Sequence, residues 1–396
     1  MAGQRARLDA ATAELDTPLG VIDLDALRRN AADLVRRAAG KPIRVASKSV
    51  RCRGVLREVL GMTGYAGILG YTLAEAIWLA AEFDDVLVAY PSVERAALRQ
   101  LGADPAAAQR ITLMVDSTEQ LDFIDAVMPP TGRAELRVCI EVDASLRELG
   151  GRVHIGPRRS PVHDPQEAVA LARELAARQG YRLVGLMSYE GQIAGLGDVV
   201  AGNPVRGAVI RVMKKRSVAE LAERRAAVVA AVSSITPLEF VNGGGTGSLE
   251  TTAAEPAVTE VAAGSGLYSP GLFDQYRTFR AEPAALFALS VARRPAPHVV
   301  TVTGGGWIAS GPPGRDREPV PTYPAGLKFL PREGAGEVQT PLTGAAADGL
   351  RIGDRVWLRH AKAGELCEHL DVLHVVQQDS VIDVFPTYRG EGKTFL

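Results

Sequence analysis

The chain has 396 residues, with 45 Lys plus Arg against 46 Asp plus Glu and a formal net charge of −1 at pH 7. So even a balance gives no electrostatic case for nucleic acid or an anionic membrane surface, and leaves a small molecule as the expected partner. No stretch approaches the run of about 20 apolar residues that a membrane helix needs, the N-terminal MAGQRARLDAATAELD lacks the apolar segment of a secretory signal, and a cytoplasmic location is expected.

The length suits one large domain and a smaller second one. Cys52, Cys139 and Cys367 are widely spaced with no CxxC pair, which argues against a disulfide framework or a zinc ribbon. TPLGVIDL (17–24) reads as a strand. From about residue 40 to 265, short β-branched runs alternate with stretches of helical period such as 164–179 and 215–234. The runs are IRVAS (43–47), YAGILG (65–70), DVLVAY (85–90), ITLMV (111–115), LRVCIEV (136–142), LVGLMSY (183–189), LEFVNGG (238–244) and VTEVAAG (258–264). Eight strands separated by helices predict an α/β fold, a (β/α)8 TIM-type barrel over residues 25–275, with its ligand site at the carboxyl ends of the strands.

After Tyr276, glycine and proline punctuate strand-like runs such as HVVTVTGGG, DRVWLRHAK and LHVVQQDSVIDVFP. A β-rich C-terminal domain is expected there, formed by 276–396 together with 1–24, so that TPLGVIDL pairs with it. The segment 304–325 reads as a loop between two of its strands.

Four places carry candidate chemistry. Lys48 directly follows the first barrel run, where an amine can form an imine if its surroundings strip its proton; the alternative is an exposed loop lysine. NGGGTGS (242–248) follows the seventh run and AAGSGLY (262–268) ends the eighth, and the loops after strands seven and eight of such barrels frequently hold phosphate. MSYEGQ (187–192) brings Tyr189 and Gln192 to the barrel mouth, within reach of a ring or a carboxylate. LRHAKAGELCEH (358–369) gathers His360, Lys362, Glu365, Cys367, Glu368 and His369, and a strand would set His360 and Lys362 on one face.

Taken together, these segments resemble the D-threonine aldolase and D-serine dehydratase family, alanine-racemase-like fold-type III enzymes that use pyridoxal 5'-phosphate. RVASKSVR (44–51) looks like that family's lysine motif, although Ala46 and Val50 stand where it carries histidines. TPLGVIDLDALRRN (17–30), AYPSVERAAL (89–98), GLMSYEGQ (185–192), NGGGTGS (242–248), AGSGLY (263–268) and GEVQTPL (336–342) follow in the expected order. The resemblance implies that Lys48 is the Schiff-base lysine and that Tyr189 stands near the cofactor ring, with Gln192 also at the cofactor. It implies a phosphate cradle of Gly244, Gly245, Thr246, Gly247, Gly264 and Ser265.

Two departures stand out. EVDASLRELGG (141–151) has Glu148 where the family carries an arginine, leaving Arg147 or Arg152 to contact the cofactor's phenolic oxygen. Where the family has a histidine–x–cysteine or histidine–x–aspartate pair for a divalent metal, this chain has His360, Ala361 and Lys362. That leaves His360 as a metal ligand without its second partner, the metal itself open, and Lys362 as a cation able to stand in for it. The resemblance implies a lyase for a β-hydroxy D-amino acid, acting by retro-aldol cleavage, with dehydration to a 2-oxo acid and ammonia as the alternative. His360 is then the first candidate for proton transfer and Tyr189 the second. A racemase and a non-catalytic pyridoxal-phosphate carrier are the remaining readings, and a homodimer is expected by analogy with related barrels.

Overall fold

The computed structural model describes residues 2–200, 203–312, 314–362 and 364–396. They fall into two compact units. One comprises Leu34–Lys48, Leu60–Ala263 and Phe395–Leu396, and the other the chain up to Asp33, Ser49–Val59 and Gly264–Thr394.

The first unit is a closed barrel of eight parallel strands, Ile43–Ala46, Tyr65–Gly70, Val86–Val88, Ile111–Val115, Leu136–Glu141, Tyr181–Ser188, Phe240–Gly243 and Glu260–Ala263. Each of the eight expected runs contains or overlaps one of them. The eighth strand closes on the first, with Val261 opposite Ile43 and Ala263 opposite Val45. Leu69, Leu87, Met114, Cys139, Met187, Phe240 and Ala262 pack as one cluster with Ala46, so every strand contributes to the interior. Side chains alternate along a strand, so Glu141, two residues beyond Cys139 in the fifth strand, shares that inward face, while Lys48, Asp116 and Tyr189 stand just past the carboxyl ends of the first, fourth and sixth strands.

Toward the opposite end lies a buried ion pair. The Arg44 guanidinium donates to Glu260 Oε1 and Oε2 at 2.7 and 2.9 Å and pairs with Asp85 at 2.9 Å. Gly67, at φ +73°, leaves room for it, because a Cβ there would stand 2.5 Å from Arg44 Nη1.

The helix Pro165–Ala177 starts where the sequence signals a start. Asp164 caps it, Pro165 takes the first turn and Glu167 completes a capping box, while Ala168, Leu171, Ala172 and Leu175 bury one face. The long helix Pro204–Ser233 begins 11 residues before the expected 215. Its first turns expose Val205, Val209 and Val212, so no buried apolar face marks them in the sequence. A hairpin of two three-residue strands, Leu146–Glu148 and Val153–Ile155, interrupts the connection after the fifth barrel strand and was not anticipated. Among the described residues no helix is long and apolar enough to cross a membrane.

The second unit is β-rich, around a nine-stranded sheet. Its central strand Ala285–Ala296 pairs antiparallel with Leu19–Asp23, so TPLGVIDL joins this sheet. It also pairs antiparallel with Arg355–Arg359 and Val299–Thr303. The segment 304–325 is not wholly a loop: Val320–Tyr323 forms a strand that among the described residues pairs only with Arg355–Arg359. Its Pro321 is tolerated because an edge strand needs fewer backbone donors. Leu8 of the helix Ala2–Ala11 packs with Leu19, Val21, Leu286, Ala288 and Trp357, and the Trp357 indole N–H donates to Asp9 at 2.7 Å.

Candidate active site

The mouth of the barrel begins at Lys48. The first strand ends in a short 3-10 turn, Ser47–Ser49, pinned by Ser47 Oγ donating to the Leu69 carbonyl at 3.2 Å. The Lys48 side chain is exposed, and its Nζ donates to Tyr90 Oη at 3.3 Å. Tyr90 follows the third strand and Tyr189 the sixth. The Arg159 guanidinium lies 5.4 Å from the Tyr90 ring centroid and 5.2 Å from that of Tyr189, within cation–π range of both. Its place is explained locally. Ser160 Oγ donates to the Glu141 carbonyl at 2.7 Å and the Asp143 N–H to Val162 at 2.7 Å, folding the segment after the hairpin back onto the end of the fifth strand.

Glu141 is 4 % exposed, and among the described residues no hydrogen bond or ion pair holds its carboxylate. Burial pushes its pKa up to about 7, opposed by Arg159 and reinforced by Asp116 and Asp143. Burial also raises Asp116, with Gln120 Nε2 donating to it at 2.7 Å in opposition. Tyr189 is pushed up to about 12 by burial, against the pull of Arg159, so its hydroxyl stays protonated at neutral pH.

The glycine loop lies beside Tyr189. Gly244 has φ +87°, and its N–H donates to Glu190 Oε2 at 3.2 Å. A Cβ on Gly245 would come within 3.1 Å of Tyr189 Cε2 and 3.0 Å of Ala194 Cβ, so only glycine lets the loop approach the ring this closely. Gly245 and Gly247 are half-exposed, whereas Thr246 is buried and its carbonyl accepts from Arg37 at 2.6 Å.

The other expected residues of this unit turn elsewhere. Gln192 is buried, with Nε2 donating to the Ala144 carbonyl at 2.6 Å. Arg147 spends its guanidinium on Asp143, at 3.0 and 2.6 Å. Glu148 pairs with Arg216 of the long helix at 2.6 Å, and Arg152 is exposed.

Gly264, Ser265, His360 and Lys362 belong to the β-rich unit. Gly264 directly follows the eighth barrel strand, and Ser265 opens the short helix Ser265–Tyr268. The strand expected to carry both His360 and Lys362 stops at Arg359, so period-two alternation does not reach Lys362. His360 is buried, edge-on to the Tyr268 ring at 6.1 Å, and among the described residues no close hydrogen bond reaches either ring nitrogen. Burial, helped by Arg359, lowers its pKa to about 3 and keeps it neutral. Lys362 Nζ donates to Ser310 Oγ at 2.8 Å. Glu365 Oε1 accepts from the Ser310 N–H at 2.8 Å, and Cys367 is a buried thiol raised by burial, its Sγ toward the Val50 carbonyl. Among the described residues no three His, Cys, Asp or Glu side chains converge, so the donor set does not fit a divalent metal.

Arg159, Glu141 and Tyr90 were missed by sequence reasoning. For Glu141 and Asp116 a signal existed, since each stands two residues beyond an inward-facing core residue. Arg159 reaches the mouth only through the hairpin's return path, which no local pattern announces. As it stands, the mouth offers a primary amine, two aromatic walls, an arginine, a carboxyl that titrates near neutrality and a close glycine loop. That set fits a flat, anion-bearing aromatic cofactor with an amine-reactive carbonyl.

Residues 22–270 match the family model described as alanine racemase, N-terminal domain. A D-threonine aldolase of Arthrobacter sp. is 27% identical over 327 residues, covering 79% of this chain and 78% of its own. A D-threo-3-hydroxyaspartate dehydratase of Delftia sp. (strain HT23) is 29% identical over 320 residues, covering 76% and 74%. The crystal structure of D-threonine aldolase from Filomicrobium marinum superposes with a TM-score of 0.77 at 22% identity, covering 96% of each chain.

Proposed function

Because the chain belongs to the alanine racemase N-terminal domain family, we propose that it is a pyridoxal 5'-phosphate-dependent lyase that splits a β-hydroxy D-amino acid into glycine and an aldehyde. The observation that carries this reading is the Lys48 amine at the end of the first barrel strand, beside Tyr90, with Tyr189 against the glycine loop. The name of the Arthrobacter relative supports the choice of reaction.

When bound, the cofactor supplies an electron-withdrawing ring that makes bonds at the substrate's Cα breakable. Lys48 would hold it through its amine, the Gly244–Gly247 loop would hold its phosphate, and Tyr189 would flank its ring. Arg159, rather than Arg147 or Arg152, is the arginine at the mouth, placed to meet an anionic oxygen of cofactor or substrate.

Cleavage between Cα and Cβ needs a base for the β-hydroxyl proton and an acid to return a proton to Cα. A group with a pKa near the working pH serves best. Glu141, at about 7, is present in both forms at neutrality, so its carboxylate can accept the hydroxyl proton. Tyr189, protonated until about 12, can only donate there. His360, at about 3, is a weak base, and no step is assigned to a metal.

Dehydration is the second reading, favoured by the similarity to the Delftia dehydratase. Incubation with D-threonine, D-serine and D-3-hydroxyaspartate separates the two. Glycine with aldehyde supports the lyase as proposed, and 2-oxo acid with ammonia moves the assignment to a dehydratase. Interconversion of enantiomers alone overturns both.

A further inference from the structure

The glycine loop is tied down by a single buried carboxylate. Glu190 is 1 % exposed and stands just beyond the sixth strand. Its Oε2 accepts from the Gly244 N–H at 3.2 Å and from Arg225 Nη2 at 3.1 Å. Its Oε1 accepts from Ser248 Oγ at 2.9 Å and from the Thr252 hydroxyl. Three donors spread over nine residues of chain thus meet on one group. Arg225, 3 % exposed and in the long helix, also donates to Ser188 Oγ at 2.8 Å and to Glu255 at 2.6 Å.

Two buried carboxylates around one guanidinium are a costly arrangement for stability alone, since desolvating charges consumes much of what their pairing returns. The geometry indicates what the arrangement does. Drawing Gly244, Ser248 and Thr252 inward leaves Gly245 and Gly247 as the accessible crest, with Gly245 set against Tyr189. A carboxylate alone would repel an anion held at that crest, and Arg225, shared with Glu255, offsets part of that charge.

We propose that Glu190, with Arg225, is a positioning residue that sets the 244–248 loop for the phosphate of the cofactor. The inference rests on the pyridoxal-phosphate reading above. It is tested by stripping the cofactor from wild-type protein and Glu190→Gln, then titrating each with pyridoxal 5'-phosphate and with pyridoxal, which lacks the phosphate, while following the visible absorbance of bound cofactor.

The substitution keeps the shape but removes the charge and one acceptor. It is expected to weaken pyridoxal 5'-phosphate by about tenfold or more, the scale of a lost hydrogen bond to a charged group, and to change pyridoxal by less than about twofold, because pyridoxal makes no use of the loop. Ser248→Ala, which removes one donor to Glu190 and the acceptor of the Gly245 N–H at 3.2 Å but leaves the ion pair, carries the same test if Glu190→Gln does not fold, and a smaller loss confined to the phosphorylated cofactor is expected. Equal loss of both ligands, or loss of neither, overturns the proposal. Binding of neither ligand by wild-type protein would instead overturn the pyridoxal-phosphate reading itself.

Discussion

The ends of the fifth and sixth barrel strands carry two buried glutamates with opposite surroundings. Glu190 is met by an arginine, two hydroxyls and a backbone N–H, and it organises a loop. Glu141 has no such partners, only the field of Arg159 against those of Asp116 and Asp143, and burial leaves it titrating at about 7. Residue type and burial alone therefore say little about a buried carboxyl; the groups packed around it decide what it does.

The comparison can be broken in several ways. The largest effect is expected at the proposed Schiff-base amine: Lys48→Ala should lower kcat by at least about a thousandfold, a barrier increase of roughly 4 kcal/mol, measured by product formation with added cofactor. Glu190→Ala should come next. Removing Glu190 leaves Arg225 to Glu255 alone and strips the acceptor from the buried Gly244 N–H and the Ser248 and Thr252 hydroxyls, at a cost of about 3 kcal/mol or more in denaturant unfolding. Under the same conditions Glu141→Gln should cost nothing near pH 7, because no donor loses its partner.

Glu141 also predicts the sign of a pH effect. Its folded pKa is raised from 4.5 to about 7, so between those values the folded state holds a proton that the unfolded state has released, and stability falls as pH rises through this window. Glu141→Gln should abolish that loss, worth about 3 kcal/mol, and should flatten the limb of kcat/KM near pH 7. His360 acts in the reverse direction. Its folded pKa is lowered from 6.5 to about 3, so its share of stability is full above 6.5 and declines as pH falls toward 3. His360→Gln should lessen acid sensitivity in that range, read by thermal unfolding between pH 4 and 7. The smallest effect is expected from chelation: with no converging donor set among the described residues, removing divalent metals should leave the rate unchanged within about twofold.

The barrel was legible because its strands are short β-branched runs at regular spacing, and because an inward-facing register follows from counting by two. Lys48 and the glycine loop were legible for the same reason, as residues directly after strands one and seven. The hairpin at 146–155 was not, since its three-residue strands carry no period, and Arg159 was hidden with it. The strand Val320–Tyr323 was masked by Pro321 within a proline-rich stretch. Glu190 lay in plain view in MSYEGQ, but its partners come from loops and a helix 35 to 62 residues away, beyond any local pattern. His360 and Lys362 were read as one strand face because alternation was carried past Arg359, where the strand stops.

The most direct test of the account is borohydride reduction of the purified holoprotein followed by peptide mass spectrometry. The account predicts one added pyridoxyl-phosphate mass, on the peptide carrying Lys48. Attachment at Lys362 or any other lysine, or no attachment after incubation with the cofactor, would contradict it.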